Sequence, residues 1–214
     1  MKYRMILLFT CMRFLLSTLL CRRLQRVVLI GTPIHGNLGD HAIALSLCAM
    51  FRENNLRFVE ISGAVYRRFA PVLDKFIRCS DTICMCGGGF LGSLWTEEDD
   101  MVLSIIEKRS ENKIVIAPQS IFFYENDTER MNRFKTVYGA HKNLTLYVRE
   151  ENSFAVSTAL LSGTNCRVRK CPDMVLSLKV PLRKKIARTN KVLLCLRTDK
   201  ERVLPEEHKA LIHS

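Results

Sequence analysis

From residue 27 onward, short apolar runs alternate with longer stretches in which apolar residues recur every three or four positions. Continuous short runs belong to strands buried on both faces, and the longer periodic stretches to amphipathic helices. In order, the pattern predicts strands over 27–31, 58–61, 82–86, 113–117, 144–148 and 174–178, and helices over 40–54, 70–79, 97–109, 129–141 and 153–161. Strands that alternate with helices mark crossover units around a parallel sheet. The expected fold class is therefore α/β, a doubly wound Rossmann-like parallel sheet over residues 27–178.

The flanks read differently. Residues 179–190 are polar and basic with Pro181, the composition of a linker, and 191–196 open a new apolar strand. One strand and part of a helix cannot close a core, so 191–214 is expected to be the incomplete start of a second Rossmann-like domain. At the other end, apolar runs over 6–12 and 14–20 are split by Arg13 and followed by Arg22, Arg23 and Arg26. Crossing a bilayer takes about twenty uninterrupted apolar residues, and no small-residue cleavage site follows, so neither a spanning helix nor a cleaved signal is expected. Residues 1–26 fit a helix lying on the inner face of the cytoplasmic membrane, or a terminal helix packed on the domain.

The net charge of +12 raises the question of nucleic acid. The surplus sits at the two ends, however, and the stretch 40–178 holds as many acids as bases. Without a broad basic face the nucleic-acid reading is set aside. Nine cysteines, several inside apolar runs such as T-I-C-M-C (82–86), point to reduced, buried thiols in a cytoplasmic protein. Their spacings form no zinc set, and no metal is expected.

Candidate chemistry lies after the strands. The segment G-T-P-I-H-G-N-L-G-D-H (31–41) joins the first strand to the first helix, where backbone N–H groups can face an anion. Asp40 is expected to cap that helix, with His35, Asn37 and His41 at its mouth. The segment C-G-G-G-F-L-G-S-L-W (86–95) follows the third strand, and three consecutive glycines imply close approach of a ligand or a positive φ. Gln119 and Ser120 end the fourth strand, Arg149 and Glu150 the fifth, and Asp173 precedes the sixth. Arg149 at a strand end offers a planar fork suited to carboxylate or phosphate. Five such loops on one sheet edge predict a cleft.

The segments G-N-L-G-D-H-A-I (36–43), G-G-G-F-L-G-S-L-W (87–95), P-Q-S-I-F-F (118–123), R-E-E-N-S-F (149–154), P-D-M-V-L-S-L (172–178) and L-R-T-D-K-E (196–201) resemble, in order, the motifs of the polysaccharide pyruvyl transferase family. The resemblance implies the first domain of a GT-B-like two-domain enzyme, with its active site between the domains. It implies transfer of the enolpyruvyl unit of phosphoenolpyruvate to hydroxyls of a glycan or lipid-linked saccharide, as a pyruvate ketal, in exopolysaccharide or capsule biosynthesis. Phosphoenolpyruvate is then the donor substrate, with no further cofactor. On this basis Asp40, His41 and Arg149 are the expected catalytic residues. Gly36, Asn37, Gly39, Gly87, Gly88, Gly89, Gln119, Ser120, Glu150, Asp173 and Arg197 are the expected substrate-binding residues. Family members resemble one another in a D-R-L-H type motif late in the second domain. The present sequence stops short of it, and His208 and His213 do not stand in that context. Two other readings stay open at this point: a nucleotide-sugar glycosyltransferase of GT-B type, and an inactive truncated glycan-binding remnant.

Overall fold

The computed structural model describes residues 8, 9, 12, 14–16 and 25–179. By its contacts the chain divides into two compact units, Met1–Leu178 and Lys179–Ser214. The expected linker beyond Lys179, the strand from 191 and Arg197 lie outside the described residues.

Among its described residues the first unit carries seven strands, all paired in parallel. They are β1 (Val27–Thr32), β2 (Phe58–Ser62), β3 (Thr82–Met85), β4 (Gly88–Gly92), β5 (Lys113–Phe122), β6 (Leu144–Val148) and β7 (Arg167–Lys170). The helices are α1 (Leu38–Glu53), α2 (Gly63–Leu73), α3 (Thr96–Lys108), α4 (Thr128–Ala140) and α5 (Glu151–Leu161). The sheet order is β2-β1-β3-β5-β6-β7, with β4 also on β5. From β1 the chain steps one way to β2 and the other way ever after. Right-handed crossovers then put α1 on one face and α2 to α5 on the other.

The two cores follow that division. Val28, Ile30, Ile83, Met85, Ile114, Ile116, Leu144 and Leu146 face the four-helix layer, while Leu29, Cys84 and Ala117 face Leu47 and Phe51 of α1. Strands β1 and β3 and the middle of β5, Ile116–Gln119, are buried on both faces as the continuous-run pattern predicts. In β6, Leu144, Leu146 and Val148 are buried, but Thr145 and Tyr147 are half-buried. Their face borders an open groove of about 570 Å³ between α1 and Met174.

Four expectations are corrected. First, β5 does not stop near 117 but runs on to Phe122, giving a ten-residue strand. Second, the triple glycine is not a loop: Gly88–Gly92 forms β4, pairing with the extended end of β5 through Gly88↔Gln119 and Gly92↔Phe122. Thus β3 and β4 are two pieces of one line broken at Cys86 and Gly87. Third, 174–178 is not the last strand. Pro172 interrupts the chain, Asp173 accepts from Val175 N–H at 2.9 Å, and Met174–Ser177 is a 3-10 turn. The last strand among the described residues is Arg167–Lys170, whose R-V-R-K holds no apolar run because it is an edge strand paired with β6 alone. Basic side chains suit such an edge, since they discourage pairing with another chain. Fourth, the helix expected over 70–79 begins earlier. Ser62 accepts from Val65 N–H at 3.3 Å and starts α2, and Pro71 leaves Phe69 non-helical and the helix kinked.

The start of the sheet is tied by a buried polar cluster. Asp81 accepts from Arg26 Nε at 3.2 Å and Nη2 at 3.0 Å, and from Arg78 N–H at 2.8 Å. Asn112 Nδ2 donates to the carbonyls of Arg78 and Asp81 at 2.7 and 2.9 Å. Of the N-terminal segment, Phe14 is buried in the four-helix layer's core, with the Arg26 guanidinium 5.5 Å from its ring centre. Leu8, Phe9, Met12 and Leu16 are exposed.

Candidate functional site at the carboxyl edge of the sheet

Because every strand is parallel, the segments that follow them open on one edge. The position beside β1, where the strand order reverses direction, is where doubly wound sheets receive ligands.

The β1–α1 segment is organised by Asn37 rather than by Asp40. Asn37 Oδ1 accepts from Gly39 N–H at 2.9 Å and is the N-cap of α1. The expectation that Asp40 caps the helix is therefore corrected: it lies in the first turn, its carboxylate 3.6 Å from His35 Nε2. There a carboxylate still interacts favourably with the helix dipole. His41 Nε2 donates to the His35 carbonyl at 2.7 Å, folding the turn back on itself. Gly36 is exposed, and a Cβ added to it meets nothing within 4 Å.

The glycine run forms the middle of the edge. A Cβ on Gly87 would come within 2.8 Å of the Pro118 carbonyl oxygen, so β3 and β5 approach here as only glycine allows. Gln119 faces this point from β5. Its side-chain N–H donates to the Cys86 carbonyl at 2.7 Å, while Oε1 is buried without a hydrogen-bond partner among the described residues. Gln119 is fully buried. Its amide thus ties the break between β3 and β4 to β5 under the rim instead of reaching into open solvent. Burial pushes the Cys86 thiol far above 9.0, which keeps it a neutral packing group.

Beyond the glycines, five expected site residues meet. Arg149 Nε donates to Ser120 Oγ at 2.7 Å, and its Nη1 donates to Asp173 Oδ2 at 2.6 Å. Ser120 in turn donates to Glu150 Oε2 at 2.9 Å, and Glu150 Oε1 accepts from Ser153. Gly89 lies against Arg149 Nη2. The guanidinium is thereby oriented by a carboxylate and a hydroxyl, with one amino group directed at the glycine strand. Of these, Arg149, Glu150 and Asp173 border a second hollow of about 470 Å³ shared with Lys170 and Leu176. The β4 strand separates the Arg149 group from the Asn37–His41 group, and both stand on the same edge.

Two residues of the rim carried no motif signal. Arg67 of α2 and Glu98 of α3 pair at 3.0 Å, and with Asp40, His35 and Phe90 they line a cavity of about 270 Å³ beside Gly31 and Gly87. Each lies inside an otherwise ordinary amphipathic helix, so only the fold brings them to the edge.

Comparison with known proteins agrees with this geometry. The family model described as polysaccharide pyruvyl transferase matches residues 37–213. General stress protein 30 of Bacillus subtilis is 30% identical over 188 residues, covering 86% of this chain and 53% of that protein. Pyruvyl transferase 1 of Schizosaccharomyces pombe is 25% identical over 184 residues, covering 83% of this chain and 45% of that protein. A crystal structure of an uncharacterised protein from Klebsiella pneumoniae superposes with a TM-score of 0.58 at 24% identity, over 94% of this chain and 66% of that one. The chain thus spans about half the length of the curated relatives it matches. The motifs, the sheet edge on which they assemble and the matched family model converge: this chain belongs to the polysaccharide pyruvyl transferase family.

Proposed function

We propose that the protein transfers the enolpyruvyl unit of phosphoenolpyruvate to hydroxyls of a glycan, as a pyruvate ketal, in exopolysaccharide or capsule synthesis. The observation that carries this reading is the convergence of Gly89, Ser120, Arg149, Glu150 and Asp173 at one strand-end cluster in a chain of this family. In the reaction a proton is added to the methylene carbon of the donor, one sugar hydroxyl bonds to C2, and a second hydroxyl closes the ketal as inorganic phosphate leaves. The reaction needs an oriented cation for the donor's charges and a group that handles the hydroxyl proton. Arg149 is suited to the first, since Asp173 and Ser120 hold its plane while Nη2 stays directed along β4. Asp40 and His41 are suited to the sugar side, where a carboxylate or imidazole can take a hydroxyl proton. Arg197 is a further candidate for the donor's carboxylate or phosphate.

The acceptor in this reading is a glycan or a lipid-linked saccharide. Exposed Leu8, Phe9, Met12 and Leu16, beside an N-terminal stretch with bases and no acid before Asp40, support contact with an anionic membrane surface.

The test supplies phosphoenolpyruvate and a saccharide extract to the chain and looks for ketal-linked pyruvate and released phosphate. Appearance of both is the expected result. Consumption of a nucleotide sugar with phosphoenolpyruvate untouched would instead make the protein a glycosyltransferase.

A further inference from the structure

We propose that the cavity beside β1 is a saccharide subsite and that Arg67 and Glu98 determine which sugar it takes; this rests on the proposed reaction only in calling that sugar the acceptor. The cavity occupies the point where the strand order reverses, the position at which doubly wound sheets bind ligands. Its floor is cleared by glycines. Gly31 adopts φ +96°, and a Cβ on Gly63 would lie 3.7 Å from the Gly31 Cα.

The charges on its wall decide the ligand class. Asp40 and Glu98 contribute two carboxylates and Arg67 one guanidinium, with His35 at the rim. A dianion such as phosphoenolpyruvate would meet more negative than positive charge there. A neutral polyol meets what it needs instead: hydroxyls donate to carboxylates and accept from guanidinium N–H groups, and charged partners make these hydrogen bonds the stronger kind. Phe90 supplies an apolar wall for the C–H face of a ring. Arg67 Nη1 and Glu98 Oε1 stand 3.0 Å apart with one-third of each side chain exposed, 33% and 34%. They satisfy each other when the cavity is empty and still present free edges to it. Two helices supply them, α2 and α3, so the pair also fixes the width of the opening. The Arg149 cluster lies across β4 from this cavity, which divides the edge into a donor-facing and a sugar-facing side.

The experiment is ligand-observed saturation-transfer NMR on the 214-residue chain with the methyl glycosides of glucose, galactose and mannose. The wild type is expected to receive saturation transfer to at least one glycoside. Arg67→Gln and Glu98→Gln are each expected to weaken it about tenfold or more, the value of one hydrogen bond to a charged group. Phosphoenolpyruvate binding should be unchanged in both. Binding of none of the three, or equal binding by the variants, overturns the subsite. If a variant unfolds, isotope-labelled wild type decides: glycoside-induced shifts at Arg67 and Gly63 support the subsite, and shifts confined to other residues overturn it. Glycoside binding without pyruvyl transfer keeps the subsite and removes the proposed reaction. Transfer with the acceptor KM unaltered in both variants keeps the reaction and removes the subsite.

Discussion

A Cβ placed on Gly89 would stand 3.0 Å from Arg149 Nη2, so the glycine strand and the guanidinium are fitted to each other. Asp173 and Ser120 hold the rest of that guanidinium at 2.6 and 2.7 Å. Gly89→Ala should displace Arg149 and leave the fold intact. The expected loss in donor affinity is about tenfold, the scale of one charge-assisted hydrogen bond. Calorimetric titration with phosphoenolpyruvate checks it, and an unchanged affinity would detach Arg149 from the donor.

Two glycines of the motif set, Gly92 and Gly36, should behave oppositely. Gly92 has φ +98°, and its Cβ would lie 2.1 Å from the Phe122 carbonyl oxygen, a backbone atom that cannot swing away. Gly92→Ala should cost about 3 kcal/mol or more, from strain and a broken β4–β5 register. Gly36→Ala, which meets nothing, should stay within about 0.5 kcal/mol of the wild type. Urea unfolding of the two variants measures both.

Asp81 is buried with two arginines on it. Asp81→Ala leaves Arg26 as a charge in the core without its carboxylate and should cost about 3–5 kcal/mol. A variant that unfolds at the wild-type urea midpoint would show that the cluster contributes little.

Burial pushes the thiols of Cys84 and Cys166 up to about 12 and that of Cys48 up to about 11, from 9.0. Between those values the folded chain keeps protons that the unfolded chain has lost. Stability should therefore fall as pH rises above 9, by at most about 1.4 kcal/mol per pH unit for each thiol. Among the described cysteines, exposed Cys79 and half-buried Cys171 should take up iodoacetamide at pH 8, with the four buried thiols protected until unfolding. Peptide mass mapping reads the labels. Early alkylation of Cys84 would contradict the burial.

The exposed apolar positions of the N-terminal segment predict sedimentation with vesicles containing anionic lipid and not with neutral ones. Replacing Leu8, Phe9, Met12 and Leu16 by Ser should abolish it. Equal recovery of wild type and variant in the supernatant would end the membrane reading.

The helix and strand alternation was legible because strands buried by a two-layer core, such as V-V-L-I in β1, carry an unbroken apolar signal. β7 was not, since its R-V-R-K reads as loop when only one neighbour and no second layer bury it. The glycine run was recognised as unusual, yet its cause lay elsewhere. Residues thirty positions away, Pro118 and Phe122, set the spacing that excludes a side chain, and one-dimensional pattern holds no record of that distance. Candidate site residues near strand ends, such as Ser120 and Arg149, could be found by position. Arg67 and Glu98 could not, because helix periodicity makes them look like any solvent-facing pair.

The Arg26–Asp81–Asn112 knot closes the amino end of the sheet, whereas the motif residues gather at its carboxyl end, a strand length away. The buried knot and the candidate site thus stand at opposite poles of the same parallel sheet. Substitutions of rim side chains such as Ser120 or Arg149 leave the hydrogen bonds of that knot in place, whereas Gly92, which sets the β4–β5 register, has no such freedom. Exposed rim positions such as Gly36 are therefore open to change while the scaffold keeps the same tolerance to heat and denaturant.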